Sequence, residues 1–270
     1  MKELSKQIQQ RYEGFLNTAS LWVNSDIYKL KSFKISQKSI LFDLKIDEKL
    51  RLGKYVERFV SFQLQQEESI DIIAENIQIQ DEKITLGELD CILLLDQTPL
   101  HLEIVFKFYL FDPSAGNSEL EHFIGPNRKD SLVEKLKKLR DKQLPLLYSE
   151  QAKQYLQTLD LNLNDFKQKV YFKAQLFLPY GMNSVALDLI NPECICGFYL
   201  HYNEIAIFSD CKFYIPSKIN WLIDPHTNVH WLSYEQYGEK VEKCIIDKQS
   251  PLCWLKKPNG ELTKFFLVWW

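Results

Sequence analysis

Two neighbouring segments between Thr85 and Leu110 carry acidic side chains and one lysine at regular spacing. Glu88 and Asp90 are two residues apart in the first segment, and Glu103 and Lys107 are four apart in the second. Successive side chains on a β-strand point to opposite faces, so each pair shares a face if the segments are strands. Carboxylates that meet across adjacent strands, with an amine close by, are suited to binding Mg²⁺ and hydrolysing a phosphodiester.

The positions between these charged residues are apolar. They are Leu89, Cys91, Leu93 and Leu95 in the first segment and Leu102, Ile104, Phe106, Phe108 and Leu110 in the second. This alternation predicts two strands of an antiparallel sheet that is buried on one face. The spacing alone leaves two interpretations open, since acids on the second face either form a metal site or simply face solvent.

Hydrophobic periodicity predicts the elements that would position these residues. Apolar residues three and four apart predict helices over residues 2–17 and 47–66. In the second helix Glu57 lies beside the apolar stripe, next to Val56, where a helix edge can face a cleft. Alternating segments at 70–79, 86–95 and 101–110, separated by short turns, predict an antiparallel meander.

A basic segment follows the meander. Residues 128–142 contain seven Lys or Arg and three acids, and Leu132, Leu136 and Leu139 predict one apolar helix face, with Pro145 at the end or a kink. Further on, a helix is predicted over 150–159 and a strand over 171–178. The basic helix is suited to contacting phosphates, although an ordinary solvated helix face has the same composition.

The last third of the chain contains short, aromatic-rich segments with strand character. We expect Trp221, Trp231, Trp254, Trp269 and Trp270 to pack in a folded extension, because large aromatic side chains are costly to expose to water. Stacking on nucleic-acid bases is the alternative role for these rings. The predicted organisation is a core with an N-terminal helical segment over residues 1–180 and a β-rich extension packed on it over 181–270.

Composition limits the function classes. The 270 residues are 46% hydrophobic and 26% charged, as in a globular protein, and the net charge of -3 argues against a nucleic-acid coat protein. We expect a cytoplasmic protein without a membrane partner, because no signal-like segment and no run of roughly 18 apolar residues occurs. The C-x-C pair of Cys194 and Cys196 has no second pair at zinc-finger spacing, so reduced thiols are expected.

Four strings carry a resemblance to a known family. They are K-Y-V-E-R-F from Lys54, T-L-G-E-L-D from Thr85, H-L-E-I-V-F-K-F from His101 and G-P-N-R-K-D from Gly125. Together they resemble a bacterial family known only as domain of unknown function 1853, which is grouped with the PD-(D/E)XK nuclease superfamily. The resemblance implies an α/β (α+β) fold with a PD-(D/E)XK nuclease-like core of helix, three-stranded antiparallel meander, helix and strand, followed by the β-rich C-terminal extension.

The resemblance also implies roles for the acids. Asp90 takes the place of the first aspartate of the motif, and Glu103 takes the place of the acid on the following strand. Both would ligate Mg²⁺ or Mn²⁺ through hard carboxylate oxygens. Glu57 matches the helix acid of many superfamily members and would be a third ligand, with Glu88 as the alternative ligand.

This chain departs from the superfamily pattern at the position of the motif lysine. It would fall two residues after Glu103, where this chain has Val105. Lys107 lies about 7 Å further along the same face, so it either reaches back to the acids or leaves the site degenerate. On the basic helix, Lys135 or Gln143 would assist; together with Arg128 and Lys129 these residues are the expected contacts to nucleic acid.

These assignments imply a Mg²⁺-dependent nuclease that hydrolyses phosphodiester bonds of DNA or RNA, with Asp90, Glu103, Lys107 and Glu57 as its catalytic residues. The alternative is a catalytically inactive module of the same fold that binds nucleic acid or protein. The direction of Lys107 distinguishes the two: an amine turned to the acids favours the enzyme, and one facing bulk water favours the binding module. The sequence carries no signal for the oligomeric state.

Overall fold

The structure, a computed structural model, describes residues 2–22, 26–36 and 40–270. Its α-helices are α1 (Lys2–Asn17), α2 (Leu52–Leu64), α3 (Leu132–Lys138), α4 (Glu150–Gln157) and α5 (Tyr234–Ile246). Its strands are β1 (Ile70–Asp81), β2 (Ile84–Leu95), β3 (Thr98–Phe111), β4 (Phe123–Ile124), β5 (Lys167–Pro179), β6 (Ile195–His201), β7 (Lys212–Tyr214), β8 (Leu252–Lys256) and β9 (Leu262–Val268). The fold is therefore mixed α/β.

One mixed sheet joins these strands in the order β1-β2-β3-β5-β6-β9-β8-β7, and β4 pairs with the end of β3. The strands β1, β2 and β3 form an antiparallel meander. The strands β3, β5, β6 and β9 run parallel to one another, whereas β8 and β7 are antiparallel additions at the far edge. The C-terminal strands thus extend the sheet that begins with the meander.

The elements around the acids follow the order expected from the sequence, which is α2, then β1 to β3, then α3 and then β5. The predicted basic helix is shorter than expected. After α3 the chain continues through a π-helical turn at Leu139–Gln143 and a 3-10 turn at Leu144–Tyr148. Pro145 lies in the first turn of the 3-10 segment, where its missing N–H does not interrupt a regular α-helical ladder.

Two apolar clusters fix the helices on opposite faces of the meander. On one face, buried aromatic side chains of α1 and α2, among them Tyr12 and Phe59, pack with Leu102 and Phe106 of β3. On the other face, Leu132, Leu136 and Leu139 pack with Val105, Tyr109 and Phe172. Each such side chain contributes about 1.5–3 kcal/mol on burial. The apolar residues of α1, α2 and α3 therefore hold these helices firmly against the sheet.

The tryptophans of the C-terminal part take part in packing. Trp254 is buried, and Trp221 contacts Phe108 and Phe266 at ring-centroid distances of 5.3 and 5.2 Å. Trp270 donates its indole N–H to the carbonyl oxygen of Pro126 at 3.0 Å. The aromatic residues therefore connect the C-terminal strands to β3 and to the loop before α3.

Across the described ranges, none of the helices is both long enough and apolar enough to cross a membrane.

Candidate metal centre

The strands β2 and β3 separate where the sequence places the acids. Their ladder ends at the pair Cys91 and Leu102, and the next cross-strand positions are Asp90 and Glu103. In place of the next ladder bond, Asp90 Oδ2 accepts a hydrogen bond from the backbone N–H of Ile104 at 2.9 Å. The Asp90 carboxylate therefore satisfies a backbone donor at the point where the two strands part.

Helix α2 brings an acid and an amine to this opening. One carboxylate oxygen from each of Glu57, Glu88 and Asp90 lies within 4.8 Å of the other two. Lys54 lies one turn before Glu57; its Nζ donates to Glu57 Oε2 at 2.9 Å and to Asn76 Oδ1 at 2.8 Å, and it forms an ion pair with Glu88. These carboxylates therefore already have one cationic partner within the protein, the ammonium group of Lys54.

Glu103 is buried and is held at both oxygens. Its Oε2 accepts a hydrogen bond from Gln143 Nε2 at 2.5 Å, and its Oε1 lies 3.0 Å from His101 Nε2. The amide oxygen of Gln143 accepts in turn from Lys135 Nζ at 2.7 Å. The π-helical turn after α3 therefore connects Lys135 to Glu103 through Gln143.

The neighbour on β5 fixes the hydrogen position on the His101 ring. Gln168 donates its amide N–H groups to the backbone oxygen of Leu144 at 2.6 Å and to His101 Nδ1 at 3.0 Å. Because the amide nitrogen only donates, Nδ1 accepts and Nε2 carries the hydrogen that points to Glu103. Burial lowers the pKa of His101 to about 4, so the ring is neutral at physiological pH and acts as a hydrogen-bond donor to the carboxylate.

His101→Phe is expected to destabilise the protein by about 1–3 kcal/mol at pH 8, because the buried Glu103 Oε1 loses its donor. In a Glu103→Leu background the same substitution should cost less, giving a coupling energy of at least about 1 kcal/mol. Urea-induced unfolding of the four proteins measures this difference. Equal costs in the two backgrounds would contradict the hydrogen bond.

The acids are poised near neutral pH because they are buried beside one another. Desolvation raises the pKa of Glu57 and the pKa of Asp90 to about 7 each, with Glu103 adding to the rise at Asp90. Desolvation also raises the pKa of Glu103, against the opposing charge of Lys135. For Lys135, burial lowers the pKa although Glu103 and Asp90 oppose it. Titratable groups shifted in this way are typical of functional sites.

Lys107 does not turn toward the acids. Its Nζ donates to Asp130 Oδ2 at 2.6 Å, and it lies about 13 Å along β3 from Glu103. A tight turn presents Asp130: Gly125 N–H donates to the Asp130 backbone oxygen at 2.7 Å, and a Cβ on Gly125 would lie 1.9 Å from Asp130 Oδ1. The amines close to the acids are instead those of Lys54, which pairs with Glu57 and Glu88, and of Lys135, which the sequence predicts only as an assisting residue.

The remaining predicted nucleic-acid contacts, Arg128 and Lys129, lie in the turn before α3. Arg128 forms an ion pair with Asp112, and its guanidinium carbon lies 4.1 Å from the ring centroid of Trp270. Lys129 is exposed. Further exposed cations on and after α3 are Lys137, Lys138, Arg140 and Lys142. The basic segment therefore presents a cationic rim, within which Arg128 is engaged by the protein itself.

Sequence reasoning did not assign a function to Lys54, His101 or Gln168. The position of Lys54, one turn before Glu57 on the same helix edge, was a usable signal, as was that of His101 on the same strand face as Glu103. No local signal could have identified Gln168, since it meets His101 only through the parallel pairing of β3 with β5.

A comparison with protein families gives one match. The family model described as "Domain of unknown function (DUF1853)" matches residues 7–268. No curated protein matches the chain significantly, and neither does any solved structure.

Proposed function

Since this chain belongs to the domain of unknown function 1853 family, whose description states no activity, we propose a function from the site itself: a divalent-cation-dependent nuclease with a PD-(D/E)XK-like core. The observation that carries the proposal is the close grouping of Glu57, Glu88 and Asp90 where β2 and β3 part, with Glu103 across the strands from Asp90. The charge of Lys135 acts on both Asp90 and Glu103. Glu57 and Glu103 are buried and Asp90 is partly buried, so ionising them together costs free energy that a bound divalent cation would offset.

The donor set fits Mg²⁺ or Mn²⁺. Carboxylate oxygens are the ligands these hard cations prefer, and the spacing among Glu57, Glu88 and Asp90 is short enough for one ion. We assign Asp90, Glu103 and Glu57 as the residues that would hold it, with Glu88 as the alternative to Glu57, since Lys54 pairs with both of these glutamates. When bound, such an ion lowers the pKa of a water ligand and offsets negative charge on the phosphate.

The residues of the chain supply orientation and charge around this centre. Gln143 and His101 fix the two oxygens of Glu103, so its carboxylate is held in one direction. Lys135, placed by its hydrogen bond to Gln143, adds a positive charge that would stabilise negative charge developing on the scissile phosphate. The exposed cations on and after α3 would contact flanking phosphates without reading sequence, which makes binding sensitive to salt.

Cleavage of labelled single-stranded DNA, duplex DNA and RNA in the presence of Mg²⁺ or Mn²⁺ tests the proposal. We expect cleavage to stop on chelation and to fall at least about tenfold in Asp90→Asn and in Glu103→Gln, because each removes a charged ligand. Asp71→Asn, an exposed acid on β1, is the matched control and should cleave like the wild type. Cleavage that persists undiminished in Asp90→Asn would exclude this site as the nuclease centre.

A catalytically inactive binding module is the second candidate. It is favoured by the valine at the motif position of the lysine, Val105, and by the pairing of Lys107 with Asp130 rather than with the acids. This candidate predicts nucleic-acid or protein binding without turnover and no Mg²⁺ affinity at the acids. Calorimetric titration of Mg²⁺ into the wild type and into Asp90→Asn separates the two candidates. The nuclease predicts a heat of Mg²⁺ binding in the wild type that is lost in Asp90→Asn, whereas the binding module predicts no such heat in either protein.

A further inference from the structure

A cavity of about 350 Å³ lies between the start of α2, β3 and the turn before α3. Its charged lining consists of Arg51, Lys107, Lys129, Lys218 and Asp130, and its aromatic lining consists of Phe106, Phe108 and Trp221. None of the metal-site acids lines it. The cavity is therefore a separate feature from the proposed metal centre.

The lining carries an excess of positive charge. It combines four cationic side chains with one carboxylate, Asp130, which is already paired with Lys107. Arg51, Lys129 and Lys218 are exposed around the opening. Such a cluster is unexpected on a chain of net charge -3, and it matches a doubly charged phosphate monoester, which accepts several charge-assisted hydrogen bonds.

The aromatic wall gives the cavity a second kind of surface. Trp221 is partly buried, with its indole against Phe108, and Lys218 Nζ lies 5.4 Å from its ring centroid. Aromatic rings beside cations are suited to a base together with its phosphate, since the base stacks while the cations hold the charge. An inorganic anion alone would use the cations and leave the wall unused.

The cavity also lies at a useful distance from the acids. Gly53, in its lining, is one helical turn or about 6 Å from Glu57 along α2, and Lys107 is about 13 Å from Glu103 along β3. The cavity and the acids are therefore close enough for one nucleic-acid strand to reach both.

We propose that this cavity binds the phosphate at the end of a nucleic-acid strand, with the terminal nucleoside against Trp221. The consequence for catalysis rests on the proposed nuclease function: the protein would cleave at a fixed distance from the bound strand end. Hydrolysis at the acids would add water oxygen to phosphorus, break the bond to the leaving oxygen and pass a proton to that oxygen. The released products would be short oligonucleotides.

Binding to the full-length Asp90→Asn protein tests the cavity without requiring turnover. Fluorescence anisotropy would compare one oligonucleotide carrying a 5′-phosphate, a 3′-phosphate or hydroxyls at both ends. We expect one phosphorylated form to bind at least about tenfold more tightly than the hydroxyl form. The double substitution Arg51→Ala/Lys218→Ala should abolish that preference, and Lys240→Ala, an exposed cation on α5, should keep it.

The outcomes are distinct for the two proposals. Equal affinity for all three ends, or a preference that survives Arg51→Ala/Lys218→Ala, overturns the strand-end site even if the wild type is an active nuclease. A nucleoside monophosphate that competes as tightly as the phosphorylated strand would identify a free nucleotide as the ligand and also overturn it. End preference in a wild-type protein that never cleaves would overturn the nuclease and leave the cavity assignment standing.

Discussion

Lys135→Met is expected to reduce kcat of metal-dependent cleavage by about 10²–10³-fold, the loss typical for removal of one positioned charge from a transition state. Lys135 is the amine that contacts the Gln143 and Glu103 pair, and the charges of Glu103 and Asp90 act on it directly. The Mg²⁺ concentration for half-maximal activity should change little, because Lys135 is not among the acids assigned to the ion. Steady-state kinetics on a linear oligonucleotide substrate gives both quantities.

The controls for this prediction are on the same helix and on β3. Lys138→Met removes an exposed cation from α3 that would contact only a flanking phosphate, so kcat at saturating substrate should stay within about threefold of the wild type. Lys107→Met should lose less activity than Lys135→Met, since Lys107 pairs with Asp130. The reverse order would show that Lys107, and not Lys135, takes the role of the missing motif lysine. Methionine keeps the length of lysine, so the unfolding curves should remain close to that of the wild type.

The position of the acids could be predicted because it depends on local periodicity. A period of two places Glu88 and Asp90 on one face of β2, and the edge of the apolar stripe on α2 places Glu57 toward the sheet. Both are properties of short segments, and neither requires knowledge of distant contacts. The separation of β2 from β3 at Asp90 was not visible in this pattern, because it is a feature of strand pairing.

The resemblance named Lys135 and Gln143 as assisting residues, but periodicity could not predict the contacts around the acids, because these depend on residues distant in sequence. Gln143 reaches Glu103 because the chain after α3 adopts a π-helical turn, which alters the direction of the side chains that follow. The direction of Lys107 depends on a turn at Gly125 that presents Asp130. Neither contact has a periodic signal, so the alternation on β3 alone placed Lys107 too close to the acids.

The order of the C-terminal strands in the sheet also depends on contacts between residues distant in sequence. Aromatic density predicted packed strands after residue 180, and such strands are present. Their order, in which β9 lies between β6 and β8, is set by parallel pairing between segments far apart in sequence. Parallel strands require crossover connections, so adjacency in sequence gives little information about adjacency in the sheet.

The metal-free protein is expected to lose stability as the pH rises from about 5 to about 8, by about 2–4 kcal/mol or roughly 5–10 °C in Tm. The pKa values of Glu57 and Asp90 are raised to about 7 in the folded state, above unfolded values of about 4.3 and 3.9. Between these limits the folded state binds more protons than the unfolded state, so each pH increment favours unfolding. The loss of stability caused by these two carboxyl groups is absent below about pH 4 and complete above about pH 7.

Asp90→Asn provides the test, because asparagine keeps an acceptor for the Ile104 N–H but carries no charge to desolvate. Thermal unfolding without divalent cations should show a variant close to the wild type at pH 5 and several degrees more stable at pH 8, while Asp71→Asn follows the wild type throughout. Mg²⁺ should reverse the order at pH 8, since it binds the ionised wild-type acids and stabilises the fold by mass action. Parallel pH profiles for the wild type and Asp90→Asn would show that the Asp90 carboxylate is not held protonated by its neighbours, and would remove the electrostatic reason for a cation at this site.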